Sequence, residues 1–226
     1  MIELLNLKRF IVVCGHYGCG KTNFSINLAM YLANKRENVT LVDFDIVNPY
    51  FRSSDYIDLL SEKNIKLISP IYANSNLDLP AISPKVYSVF SNRNGYVIFD
   101  VGGDDAGAKL LSRFSKEIED TNDYDMLYII NRYRKETSTP KGAAKILKEI
   151  ESTSGLTVTA IINNSHLQNT TTADDIVKSG EYADAVSKEV NLPIIMTIAS
   201  ADISDQLKDK FDNIFKSYMY VKPPWF

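Results

Sequence analysis

One eight-residue segment limits what this chain can fold into more than any other. Gly15-His16-Tyr17-Gly18-Cys19-Gly20-Lys21-Thr22 fits the pattern G-x-x-x-x-G-K-[ST]. Its setting fits as well. The apolar run Phe10–Cys14 leads into it, and an amphipathic run from Thr22 to Arg36 leads out. Glycines at these spacings let backbone N–H groups turn inward around an anion, and the start of the following helix adds partial positive charge. Lys21 is then placed for β- and γ-phosphates and Thr22 for Mg²⁺. The expected nucleotide contacts are Gly15, His16, Tyr17, Gly18, Cys19, Gly20, Lys21, Thr22 and Asn23, with Lys21 also counted as catalytic.

Composition sharpens this reading through glycine. The chain has 226 residues but only 10 glycines, where average usage of ~7% would give roughly 16. Six of the 10 fall in two clusters, one in the loop and one at Gly102, Gly103 and Gly107. The second cluster follows Tyr96-Val97-Ile98-Phe99-Asp100. Four apolar residues closing on Asp put a carboxylate at the carboxyl end of a buried strand, where it can organise Mg²⁺ together with Thr22. Asp100-x-x-Gly103 also fits a switch whose Gly103 N–H senses the γ-phosphate. A third segment, Leu41-Val42-Asp43-Phe44-Asp45, projects Asp43 and Asp45 to one side of an extended chain. They are the catalytic candidates for orienting the attacking nucleophile. Asn48–Arg52 then reads as a Pro-anchored turn whose Arg could move with bound nucleotide.

Short apolar runs alternate with longer amphipathic ones along the rest of the chain. The predicted strands are Phe10–Cys14, Val39–Val42, Ile65–Ile68, Tyr96–Phe99, Met126–Ile130, Val158–Ile162 and Ile194–Ile198. Near-continuous apolar strands are buried on both faces of a parallel sheet. The predicted helices are Thr22–Arg36, Ser53–Lys63, Pro84–Asn92, Ala106–Asp120, Pro140–Ser152, Asp174–Asn191 and Asp202–Tyr218. In the last, Ile203, Leu207, Phe211, Ile214 and Phe215 share one helical face. This alternation predicts an α/β fold of the P-loop NTPase type: one domain over 1–226, with a doubly wound, mostly parallel sheet and helices on both faces. Ligands should sit beyond the carboxyl ends of the strands. Ser69–Ser83 reads as a long polar loop within that domain.

Charge narrows the partners. Lys and Arg number 25 against 28 Asp and Glu, for a net charge of −3, and no long basic run occurs. Nucleic acid is therefore not an expected partner. The amino end lacks a signal peptide's apolar stretch, and no run approaches ~18 apolar residues, so a cytoplasmic location is expected. Membrane attachment through the aromatic tail is disfavoured, since the preceding segment carries few cations and Pro223-Pro224 would end a helix. Cys14 and Cys19 form no Cys-x-x-Cys. Cys14 reads as a small packed residue. Cys19 reads either as packed or as a redox-sensitive thiol beside a helix N-terminus.

Together the loop, the LVDFDI segment and the Asp100–Gly103 segment resemble the MinD/ParA-type ATPases. These form part of a wider group with nitrogenase iron protein and the CobQ/CobB-like enzymes. The resemblance implies ATP and Mg²⁺ as cofactors. One of Asp43 and Asp45 would position water, and the other would support the magnesium site. It also implies an Asn near the end of a late strand touching adenine, for which Asn164 is preferred over Asn131. A homodimer with nucleotide between its subunits is implied too. However, His16 stands where that group carries a signature Lys, five positions before Lys21. An imidazole is shorter and mostly neutral at pH 7, so it does not supply the permanent cation that would cross such a dimer.

The function expected from these features is a Mg²⁺-dependent ATP-binding protein. It would hydrolyse ATP slowly and act as a nucleotide-dependent conformational switch toward an unidentified protein partner. Two alternatives use the same fold. One is an ATP-dependent small-molecule kinase or ligase of the dethiobiotin synthetase or cobyrinate amidase type. The other is a nucleotide-sensing scaffold without turnover.

Overall fold

Five consecutive apolar residues leave no polar face, and Phe10–Cys14 forms a strand, β1, buried on both sides. The computed structural model describes residues 6–45, 56–69, 84–91, 94–103 and 105–221. Asn48–Arg52, Asp104, Pro223-Pro224 and all but Ser69 of the Ser69–Ser83 loop lie outside the described residues. After β1 come α1 (Lys21–Asn34), β2 (Val39–Phe44), α2 (Ile57–Glu62), β3 (Lys66–Ile68), α3 (Ser88–Ser91) and β4 (Tyr96–Val101). Then follow α4 (Asp105–Ser112), α5 (Ser115–Asp120), β5 (Tyr124–Ile130), α6 (Pro140–Ser154), β6 (Ala160–Asn163), α7 (Ala173–Val190), β7 (Ile194–Ser200) and β8 (Ile214–Ser217).

The described strands form one eight-stranded sheet in the order β3-β2-β4-β1-β5-β6-β7-β8. Every pairing in it is parallel. Alternate residues of β1 feed two cores. Phe10, Val12 and Cys14 pack on the side of α4, α5, α6 and α7. Ile11 and Val13 pack on the side of α1 and α2. This is the expected α/β sheet with helices on both faces.

The strand order locates the site. The chain runs outward from β1 through β2 to β3, returns at β4, and crosses β1 to continue from β5 in the other direction. The resulting crevice opens at the carboxyl end of β1, between β4 and β5, where open α/β sheets bind ligands.

The carboxyl-terminal region differs from the helix expected over Asp202–Tyr218. It holds a short 3-10 turn at Ser204–Leu207 and the edge strand β8. The helical spacing does mark residues that pack together: buried Leu207 and half-buried Ile203, Phe211 and Ile214 cluster with Ile176 and Ala199. Phe215 instead turns to the opposite face, meeting Phe24 of α1 edge-on at 5.5 Å. That two-residue alternation belongs to a strand. The open edge of β7 supplies its pairing, with Thr197 opposite Ile214. Asp209, Asp212 and Asn213, all favoured in turns, break any helix between.

Two other predicted helices are divided. Ala106–Asp120 splits into α4 and α5 because Phe114, fully buried, turns inward to stack on Phe44 at 5.4 Å. Pro84–Asn92 becomes a 3-10 turn at Pro84–Val86 followed by α3.

Candidate functional site

The loop between β1 and α1 is shaped by close approaches that only glycine permits. Gly20 is the residue before α1 and has φ +86°. A Cβ there would lie 2.4 Å from Asn164 Nδ2. Gly103 reaches the loop from the other side of the crevice. Its added Cβ would stand 2.6 Å from the Tyr17 backbone N and 2.7 Å from Lys21 Nζ. Gly103 therefore lies directly against the loop and its lysine, where a γ-phosphate sensor is expected.

The start of α1 is left open by its sequence. α6 and α7 are each capped by a threonine side chain, Thr139 and Thr172. α1 begins at Gly20 with no side-chain cap. Its first amides thus add to the positive end of the helix dipole at the loop. Lys21 is buried, and its Nζ donates to the His16 carbonyl at 3.2 Å. His16 is half-buried and its Nδ1 lies 3.1 Å from the Tyr17 carbonyl. Tyr17 is exposed at the loop's apex.

The acidic residues come from two neighbouring strands. Asp43 of β2 stands opposite Asp100 of β4, and both are buried. They face the α1 side, in line with Leu41 and Ile98. Ser25 on α1 donates to Asp100 Oδ1 at 3.1 Å. Thr22 lies one turn earlier on that helix, on the same face. Asp45, also buried, donates its backbone N–H to Asp43 Oδ1 at 2.9 Å, which holds the two carboxylates in a turn at the strand end. The hydroxyl of Thr22 and the carboxylates of Asp100 and Asp43 would offer a hard cation an all-oxygen set. Mg²⁺ usually takes one or two carboxylates and completes its shell with phosphate and water. Among the described residues no group of three or more His, Cys, Asp or Glu clusters to hold a metal by itself.

Asn23 and Asn164 are placed differently from each other. The Asn23 amide donates to Ser217 Oγ and to the Tyr218 carbonyl, and its oxygen accepts from the N–H groups of Tyr220 and Val221. Its side chain is committed to the tail that follows β8, so a phosphate contact from Asn23 falls to its backbone. Asn164 donates to the Cys19 carbonyl at 2.7 Å. It leaves β6 and grips the loop from behind. Asn131, fully buried after β5, accepts from the backbone of Tyr133 and His166 and donates to the His166 carbonyl.

Both thiols are packed. Cys14 and Cys19 are fully buried. Burial pushes the Cys14 thiol up to about 12, with the Lys21 charge only partly offsetting it. Burial also raises the Cys19 thiol, against smaller opposing effects of Lys21, Thr137 and Arg134. A buried thiol with a raised pKa is not a reactive one, so the redox reading of Cys19 gives way to packing.

Three further residues complete the site. Ser25 orients Asp100. Arg134 follows β5 and donates Nε to the Gly18 carbonyl at 2.8 Å. His166 follows β6, with Nε2 facing Gly20. The Gln168 backbone N–H donates to its Nδ1 at 3.2 Å, which assigns the ring proton to Nε2. Burial, helped by the Arg134 charge, lowers His166 to about 4, so the ring is neutral at pH 7. No motif marks these residues. Arg134 and His166 reach the loop only because the strand order sets β5 beside β1 and β6 beside β5, whereas Ser25 lies on α1 itself.

Comparison with known proteins agrees with this geometry. Residues 10–175 match the family CbiA, described as the CobQ/CobB/MinD/ParA nucleotide binding domain. No curated protein compared is detectably similar in sequence. Among solved structures, the cell division protein FtsY of Thermotoga maritima is 21% identical with a TM-score of 0.54, over 83% of this chain and 60% of that one. Signal recognition particle 54 kDa protein of Aeropyrum pernix, in complex with GDP, is 16% identical with a TM-score of 0.55, over 84% and 41%. Chloroplast FtsY of Physcomitrella patens is 14% identical with a TM-score of 0.57, over 85% and 59%. The chain spans about two-fifths to three-fifths of the length of these structures. At such identities the likeness speaks to the fold. No helix among the described residues is long and apolar enough to cross a membrane.

Proposed function

The chain belongs to the CobQ/CobB/MinD/ParA nucleotide-binding domain family, and from that premise we propose that it binds ATP with Mg²⁺, hydrolyses it slowly, and uses the bound nucleotide as a conformational switch in the cytoplasm. The observation that carries this reading is the meeting of three segments at one point. Lys21 lies buried beneath the loop, Gly103 lies against it, and Asp43 and Asp100 pair in register beside it.

Each residue then has a part set by its chemistry. Lys21 and the loop amides of residues 15–23 neutralise phosphate charge. Thr22 and Asp100 would hold Mg²⁺, which when bound neutralises charge on the phosphate oxygens. Ser25 keeps the Asp100 carboxylate turned toward that position. Asp43, fixed by the Asp45 N–H, orients water, with Asp45 completing the acidic edge. Gly103 touches both Tyr17 and Lys21. A terminal phosphate drawn to Lys21 would therefore displace or order the Gly102–Gly103 segment, and this is the switch.

ATP is favoured over GTP because the segment at the end of β6, Asn163-Asn164-Ser165-His166, carries no Asn-Lys-x-Asp signature for guanine. Phosphate release by the chain alone tests the reading. With Mg²⁺ and ATP, and no acceptor molecule, slow release is expected, and GTP should compete weakly. Release only when a small-molecule acceptor is added would replace the switch with a kinase or ligase. Tight binding without release would leave a sensing scaffold.

A further inference from the structure

The loop carries a second cation that its motif does not announce. Arg134 Nε donates to the Gly18 carbonyl at 2.8 Å. A Cβ on Gly18 would lie 3.1 Å from Nε, 3.2 Å from Cζ and 3.5 Å from Nη2. The guanidinium therefore lies along the loop's apex, and a side chain at Gly18 would displace it. Arg134 is half-buried. The ion pairs found among the described residues are Lys145–Glu149 and Lys208–Asp205, so Arg134 has no carboxylate partner among those residues. A partly desolvated guanidinium without a counter-ion is costly. The cost is offset when a polyanion arrives on the loop.

His16 occupies the loop position five residues before Lys21, and its Nδ1 faces the Tyr17 carbonyl. The other imidazole at the loop, His166, is held neutral. Of the polar side chains shown to touch this loop from outside it, Asn164, His166 and Thr137 are neutral and Arg134 alone is charged.

We infer that Arg134 is a positioning residue for the phosphate chain: from the segment that follows β5 it fixes the Gly18 carbonyl and supplies the loop with a permanent positive charge. This rests on the nucleotide reading of the site. The guanidinium acts through the loop backbone on charge, so its effect grows with the number of phosphates. A merely structural prop would affect every nucleotide alike.

The test compares full-length wild type, R134Q and R134K by calorimetric titration with AMP, ADP and ATP in Mg²⁺, with thermal unfolding of each apo protein alongside. R134Q should weaken ATP about tenfold or more, ADP less, and AMP least. R134K should keep the wild-type ratio of ATP to ADP affinity. Equal losses for all three nucleotides in R134Q, or no loss, would overturn the inference. Should R134Q not fold, a collapsed ATP-to-ADP ratio in folded R134K overturns it and a preserved ratio supports it. If wild type binds none of the three nucleotides, the nucleotide reading itself is at fault, which is a separate result.

Discussion

Asp43 and Asp100 stand opposite one another on adjacent parallel strands, both buried, at the edge of the crevice that begins at the phosphate loop. Two buried carboxylates side by side repel each other unless a cation or a proton sits between them. Ser25 fixes one of them from α1. On the proposed function the pair works with a divalent ion. For D100N, the gain in nucleotide affinity on adding Mg²⁺ should fall by about 10- to 100-fold, the weight of one interaction with a charged group. Titrations with Mg²⁺ and with EDTA check this, and an unchanged Mg²⁺ effect would exclude Asp100 as a ligand.

Gly103 gives a second test because its neighbours cannot yield equally. The Lys21 side chain can move, but the Tyr17 backbone N, 2.6 Å from the added methyl, belongs to the loop. In G103A the triphosphate should lose at least about tenfold in affinity, or about 1.4 kcal/mol, and the diphosphate clearly less. Equal binding of ATP by wild type and G103A would remove Gly103 from the sensing role.

His166 ties stability to pH. Its folded pKa is about 4 against an ordinary 6.5. Between these values the unfolded chain binds the proton more readily, so acid favours unfolding. Stability from this residue is present above pH 6.5 and is lost as pH falls toward 4. Urea midpoints measured from pH 7 to pH 4.5 should decline, and H166Q should decline less steeply. Parallel slopes would show that His166 is not held neutral beside the loop.

The tail after β8 is held to α1 by side chains. Asn27, buried, donates to the Tyr218 carbonyl at 2.9 Å and accepts from the Tyr218 N–H at 2.8 Å. Replacing it with Ala strands the Tyr218 N–H and leaves the Tyr218 carbonyl to Asn23 alone, at a cost of about 1–3 kcal/mol. Chemical denaturation of N27A reads this directly. A loss below about 0.5 kcal/mol would mean that the tail does not dock on α1 in solution.

The phosphate loop and its acidic neighbours are legible in the sequence because their chemistry is local. A strand, a glycine turn, Lys-Thr and a helix are contiguous, and a carboxylate at a strand end needs only the strand to be recognised. Arg134 and His166 are not legible, since each reaches Gly18 or Gly20 only through the order β1-β5-β6, which no local spacing encodes. Residues 202–218 defeat a local reading for a related reason. Ile203, Leu207, Phe211 and Ile214 pack together at helix-like intervals, but what decides their form is the edge of β7. Phe215, facing α1, is the residue at odds with a single helical stripe. Asn23 shows the limit within the motif itself: its place after Thr22 suggests a nucleotide contact, while its side chain serves the tail.

The most direct measurement is a titration of the full chain with ATP and Mg²⁺, repeated with K21A. The Lys21 side chain donates only to the His16 carbonyl among the described residues, so its loss should leave the fold intact, as circular dichroism would verify. Wild type should bind one ATP per chain, and K21A should lose at least about 100-fold in affinity, as expected when several charge-assisted hydrogen bonds go at once. Retention of wild-type affinity by folded K21A, or no binding of any nucleotide by the wild-type chain, would contradict a phosphate site at residues 15–22.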